Sequence, residues 1–281
     1  MIVVVVILDY ISLPKLSIHT MTDTLKWTNT ALLGELVPKK KGGTEFLLPD
    51  SVEELVFMAK LAEQAERYDE MVLCMRKVVK RNSDLGTEER NLLSVAYKNV
   101  IGARRNAWRI IISIELRERE RDTVENLPMI SALRNQFESE LSAVCDDLLG
   151  LLDNYLIPAA MGGEAKVFYL KMKGDYHRYY AETAHGDTQK QLALEAYKLA
   201  SDEAASSLAP THPIRLGLVL NFSVFHYEIM KQHDTGLALA RNAYGEAVTE
   251  LENLDEEAYR ESNLIVQLLR DNLNLWANEN Q

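Results

Sequence analysis

From Ser51 onward the chain places apolar residues at helical spacing, and after residue 50 no stretch alternates as a half-buried strand requires. Leu55, Met58, Leu61, Ala62 and Ala65 set the pattern, and Met71, Val72, Met75, Val78 and Val79 continue it. With 13 glycines and 7 prolines in 281 residues, the chain lacks the punctuation that hairpins and sandwiches need. The expected fold is all-α, with about nine antiparallel helices joined by short loops over residues 51–281.

Ser51 and Glu54 make a capping-box pattern at the first helix. Asp69 opens the second helix, and Thr87 starts a long third one with its hydroxyl as N-cap, running past Trp108 toward Leu116. The mixed charges from Arg117 to about Leu127 predict a solvated loop. A fourth helix is expected over 130–157, stopping before Pro158, and Gly162-Gly163 turns the chain into the fifth. A break near Gly186-Asp187 precedes the sixth, and Pro210-Thr211-His212-Pro213 forces a stop and restart. The last three helices are expected over 214–230, 235–254 and 256–277. Some of these helices have a tetratricopeptide flavour, but no 34-residue register repeats.

Residues 1–50 differ from the rest. The apolar run Ile2–Leu8 has no basic residue before it and is interrupted by Asp9, unlike a signal peptide. Pro14, Pro38, Lys39-Lys40-Lys41, Gly42-Gly43 and Pro49 predict a poorly ordered arm, or a gene-model extension upstream of an alternative start at Met21. No apolar run approaches the ~20 residues that cross a bilayer, so a membrane partner is not expected. Cys74 and Cys145 sit among apolar helical residues as buried thiols of a reducing compartment. The expected location is the cytoplasm, with the nucleus as a further possibility.

A net charge of -11 and a pI near 5.1 argue against nucleic acid as a partner, so any anion must be recognised locally. The six histidines (19, 177, 185, 212, 226 and 233) show no zinc-protease or metal-finger spacing, and no Gly-rich phosphate loop or nucleophile elbow is present. No catalytic residue, cofactor or metal is expected. His177 points away from the basic face described next and is expected to be partly exposed. The acidic pairs Asp146-Asp147 and Glu256-Glu257 are expected on solvated faces or at helix starts.

Residues seven apart on a helix differ by only about 20° in direction. Lys171, Asp175 and Arg178 therefore share one face with Tyr179 beside it, and Lys98 and Arg105 repeat the device. Two such faces turned together would make a cationic pocket with a phenol at its edge, a geometry that suits phosphate. Asp175 would orient the cations by pairing with one of them. Leu220, Asn221 and Val224, and later Leu264, Ile265, Leu268, Asn272, Leu275 and Trp276, mix amides into apolar faces. An asparagine offers both donor and acceptor to an extended peptide. The residues alone leave other readings open: cations paired with acids on a wet face, leucines as core, asparagines facing solvent.

The segments Arg90–Arg105 (RNLLSVAYKNVIGARR), Lys171–Tyr179 (KMKGDYHRY), Pro213–Phe225 (PIRLGLVLNFSVF) and Leu268–Trp276 (LLRDNLNLW) resemble signature stretches of the 14-3-3 family. Ala59–Met71 (AKLAEQAERYDEM) is similar to its dimerisation helices. The resemblance implies a dimeric, cup-shaped protomer with an amphipathic groove. It implies a non-enzymatic adaptor for phosphoserine and phosphothreonine motifs of client proteins, changing their conformation, partners or location. It assigns Lys98, Arg105, Arg178 and Tyr179 to the phosphate. Lys171 would flank the peptide, and Asn221 and Asn272 would hold its backbone. Leu220, Val224, Leu264, Ile265 and Leu268 would form an apolar wall, while Glu228 and Trp276 would support peptide-side contacts.

The implied dimer, with itself or a related chain, uses Leu61, Ala65, Arg67, Glu70, Ala107, Leu133, Gln136 and Glu140. Glu70 meets Gln136 where the family has a basic residue, and Leu133 replaces a tyrosine, so one cross-subunit ion pair is expected to be missing. Such exposed pairs contribute only ~0–1 kcal/mol, and apolar contacts should sustain the dimer. Ala107 stands where many relatives carry a phosphorylatable serine, so that control is expected to be absent. The chain ends at Gln281 with almost none of the family's acidic tail.

Overall fold

The computed structural model describes residues 46–121, 124–183 and 187–279. Among these residues every regular element is helical. Ser51 caps α1 (Val52–Gln64), its hydroxyl accepting from the Glu54 amide at 3.1 Å. Helix α2 (Tyr68–Arg81) begins one residue before Asp69, which lies with Glu70 in the first turn, where the helix dipole favours acids.

Helix α3 (Thr87–Glu120) corrects two expectations. Its N-cap is Gly86, whose amide donates to the Glu89 carboxylate, while the Thr87 hydroxyl accepts from Arg90 at 3.2 Å instead. The expected solvated loop from Arg117 is helix as far as Glu120. The charges there lie in helical register, with Arg119 on buried Glu115 at 2.6 Å, so they support the helix. A 3-10 turn (Val124–Asn126) leads into α4 (Leu127–Leu151).

Pro158 does not stop α4. A π turn (Leu152–Leu156) and a last turn (Ile157–Ala159) carry the helix through it. Proline has no amide and crowds the carbonyl four residues back, and the wider π spacing, with the Ile157 amide on the Leu152 carbonyl, absorbs both defects. Gly162 (φ 106°) and Gly163 (φ 63°) then reverse the chain in a region that favours glycine. The remaining helices are α5 (Gly163–Thr183), α6 (Thr188–Ser207), α7 (Pro213–Val224, extended by a π turn at Phe225–Ile229), α8 (His233–Leu251) and α9 (Glu256–Glu279). Helix α8 starts before Thr235 and ends short of the expected Leu254.

Helix α5 is the element the others close around. Phe168, Tyr169, Met172, Tyr176 and Tyr179 join one core with α1 to α4. Val167 and Leu170 join another with Ala193, Tyr197 and Ala200 of α6 and with Leu218, Phe222 and Phe225. A third core unites α7, α8 and α9 through Leu220, Val224, Ala240, Ala247, Ile265 and Leu269. Buried on both sides, α5 takes polar side chains inside with it, and Lys171, Asp175, His177 and Arg178 are all buried. His177 is thus not the partly exposed residue expected; its Nδ1 lies 2.7 Å from the Gln189 Oε1. Asp147 likewise is more than a solvated acid, since Tyr97 donates to it and Arg76 lies 3.2 Å away.

Of the arm expected over residues 1–50, positions 1–45, the alternative start at Met21 included, lie outside the described residues. Positions 46–50 are held on α2, where Lys77 donates to the Pro49 carbonyl at 2.6 Å and, with Arg81, meets Asp50 at 3.0 Å. His19 and His185 lie outside the described residues too. Both cysteines are buried, and burial pushes their thiols up, that of Cys74 to about 11. No described helix is long and apolar enough to cross a membrane.

Candidate functional site

Helices α3 and α5 bring the two cationic heptads together. Lys98 and Lys171 line one cavity of about 20 Å³ with Ser94, Asp175 and Tyr179. The guanidinium carbons of Arg105 and Arg178 lie 4.1 and 4.5 Å from the centre of the Tyr179 ring. The ring offers each cation its π face and fixes where the planar forks point.

Two carboxylates hold these cations in place. Asp175 accepts from Lys171 Nζ (2.8 Å), Arg178 Nη2 (3.3 Å), the Tyr197 hydroxyl (2.6 Å) and Asn221 Nδ2 (2.8 Å). Burial raises the pKa of this carboxyl, but the charges of Lys171 and Arg178 outweigh it and keep it below the ordinary value, so Asp175 stays ionised. Glu182 accepts from Arg105 through both Nε (3.1 Å) and Nη2 (2.7 Å), and from Arg109 at 3.3 Å. Its carboxyl too is pushed up by burial and pulled further down by Arg105 and Arg109.

Beside this cluster lies a wider groove of about 320 Å³, lined by Trp108, Arg109, Ala181, Glu182, Lys190, Glu228 and Ile229. Its lining mixes apolar side chains with both signs of charge, and Glu182 belongs to the groove and to the cationic cluster alike. Anion recognition at one end and contact with an extended chain along the other are what this arrangement can do chemically.

A protein-family model described as "14-3-3 protein" matches residues 58–277, from within α1 to within α9, and so takes in the whole of this site. The chain belongs to the 14-3-3 family. It is 58% identical to 14-3-3 protein epsilon of Drosophila melanogaster over 232 residues, covering 82% of this chain and 88% of that one. It is 59% identical to 14-3-3 protein 2 of Solanum lycopersicum over 234 residues, covering 82% and 92%. Against 14-3-3 family protein artA of Aspergillus flavus it is 58% identical over 228 residues, covering 80% and 96%.

Within this 14-3-3 chain the expected peptide residues fall into three groups. Lys171, Asn221 and Glu228 stand at the site, although the Asn221 amide nitrogen is engaged by Asp175. Leu220, Val224, Ile265 and Trp276 are buried in the third core, where Trp276 stacks on Tyr227 at 4.3 Å. Leu264, Leu268 and Asn272 are half-buried, so on α9 these are the side chains with surface left to offer.

The expected dimer residues also divide. Leu61, Ala65 and Gln136 are exposed, and Ala107 and Leu133 are half-buried. Arg67 turns onto Glu70 of its own chain. Glu140 is buried, 3.4 Å from Arg104, and accepts from Gln136 at 3.1 Å.

Sequence reasoning missed Glu182, Arg109, Lys190 and Tyr197. Glu182 was within reach, since it lies seven residues after Asp175 and four after Arg178 and so shares their face. Tyr197 carried no such signal. It reaches Asp175 from α6 because Gly174 has no side chain: a Cβ there would sit 2.7 Å from the Tyr197 ring.

Proposed function

We propose that this chain is a dimeric adaptor that binds phosphoserine or phosphothreonine motifs of client proteins and is not an enzyme. The observation that carries the reading is the convergence of Lys98, Arg105, Lys171 and Arg178 around Tyr179 in a chain of net charge -11. A phosphate monoester carries about -1.5 to -2 charges and three acceptor oxygens, which suits forks already held in place. Lys98, Arg105, Arg178 and Tyr179 take the phosphate. Lys171 flanks it, and the client's backbone runs past Asn221 and Asn272 against Leu264 and Leu268, with Glu228 on the far rim. Relatives that carry the 14-3-3 name at about three-fifths identity support this. We place the adaptor in the cytoplasm.

The test is fluorescence anisotropy with a phosphoserine peptide and its unphosphorylated twin. Tight binding of the first alone is expected, with a loss of at least about tenfold in Lys98→Glu. Equal affinities for the two peptides, or full binding by the variant, would refute the reading. Dimerisation rests on apolar side chains left outside the core, namely Phe57, Leu61, Leu116 and Met129. Light scattering at micromolar concentration should return a dimer mass for the native chain and a monomer mass for Leu61→Glu. A native monomer would overturn this part.

A further inference from the structure

Arg105 cannot be placed by its own helix alone. It stands on α3, its charge is required over the Tyr179 ring on α5, and its side chain has several rotatable bonds. What fixes it is Glu182, which grips the Nε–Nη2 edge with two hydrogen bonds, 3.1 and 2.7 Å. The Glu182 side chain is only 9% exposed, and Arg105 is 5% exposed, so solvent screens the pair little. The charged groups facing this carboxylate are Arg105 and Arg109 from α3, Arg178 from α5, Lys190 from α6 and Glu228 from the turn after α7. The cations outweigh the one acid, and Glu182 stays ionised.

We propose that Glu182 is a positioning residue of the phosphate site: it holds the Arg105 fork over Tyr179 before a ligand arrives, and affinity for phosphate depends on it through Arg105. This inference rests on the phosphopeptide reading above. It makes a prediction opposite in sign to simple Coulomb reasoning. Glu182 is a negative charge next to an anion site, so neutralising it should strengthen anion binding if charge were its only effect. If it positions Arg105, neutralising it weakens binding, because the ligand must then order the guanidinium itself.

The experiment is a double-mutant cycle on the full chain, with a phosphoserine peptide as probe. Glu182→Gln keeps the shape, removes the charge and halves the acceptor capacity toward Arg105. Its expected effect is a loss of about tenfold in affinity, and the loss should vanish when Arg105 is already alanine, so that the double variant binds like Arg105→Ala alone. Tighter binding by Glu182→Gln, unchanged binding, or losses that multiply in the double variant would each overturn the proposal. Glu182→Asp provides a second variant should the glutamine chain fail to fold. Its carboxylate is one methylene too short to reach both nitrogens, so a smaller loss is expected and wild-type affinity would count against the idea. The unphosphorylated twin peptide separates the two levels. If the native chain does not distinguish the twins, the functional reading falls and the inference with it; if it does and the cycle is additive, the inference alone falls.

Discussion

Replacing Tyr197 with phenylalanine removes a single oxygen from the network under the site. That hydroxyl donates to Asp175 Oδ1 at 2.6 Å and accepts from Arg178 Nε at 3.1 Å. The ring itself would stay where it is, stacked 5.1 Å from Phe222 and tilted 5.4 Å from Phe225, so the change opens no cavity beyond the missing atom. The Arg178 side chain is 0% exposed, which leaves bulk water unable to replace the lost partner. Hydrogen bonds to charged groups contribute about 1.5–3 kcal/mol each. The two losses share one oxygen and one ion pair and will not add fully, so a destabilisation of ~2–4 kcal/mol is expected. Urea unfolding at fixed protein concentration should show a lower midpoint with an unchanged slope. Affinity for a phosphoserine peptide should fall as well, because Arg178 is no longer tied to Asp175 through the phenol. A loss of stability below ~0.5 kcal/mol, in the range of ordinary surface changes, would refute the claim that this hydroxyl holds the two charges.

Two further outcomes are expected. Gly174→Ala would set a methyl 2.7 Å from the Tyr197 ring, which is pinned by its neighbours, so overpacking should cost about 1–3 kcal/mol and weaken phosphopeptide binding; wild-type thermal stability would contradict this. Burial lowers the pKa of His177, His212 and His226 below the ordinary 6.5, so the unfolded chain takes up protons before the folded one does. Their contribution is fully present above about pH 6.5 and is lost as pH falls through that value toward the lowered folded ones. The urea midpoint should therefore drop between pH 7.5 and 5.5, and less steeply in His177→Gln; a flat profile in the native chain would rule the histidines out. Asp175 and Glu182, also lowered, have the same sign at a lower window, below their ordinary 3.8 and 4.5.

Helix class, helix count and the two cationic faces were legible in the sequence because each depends on spacing along one helix. Lys98 with Arg105, and Lys171 with Arg178, are seven apart, and the geometry of a helix decides that they share a face. Boundaries were less legible where two local rules competed. Pro158 signals an end, but a π turn absorbs it. The charges after Arg117 signal a loop, but in helical register Arg119 pairs with Glu115, which Arg134 of α4 also meets. Glu182 lies on the basic face too, but spacing along a helix does not tell a buried acid from a solvated one.

What packing alone decided lies between helices. Tyr197 meets Asp175 only because α6 approaches α5 at Gly174, and the spacing of α6 residues says nothing of which helix it will touch. Asn221 gives one hydrogen bond from its amide nitrogen to Asp175, and Glu140 turns inward to Arg104. Each is a choice among partners far apart in the chain, made by burial: a charge or amide taken from water must find its counterpart inside. The sequence by itself determined which cations stand together on each helix; the tertiary structure decided which carboxylates and which phenol hold them there.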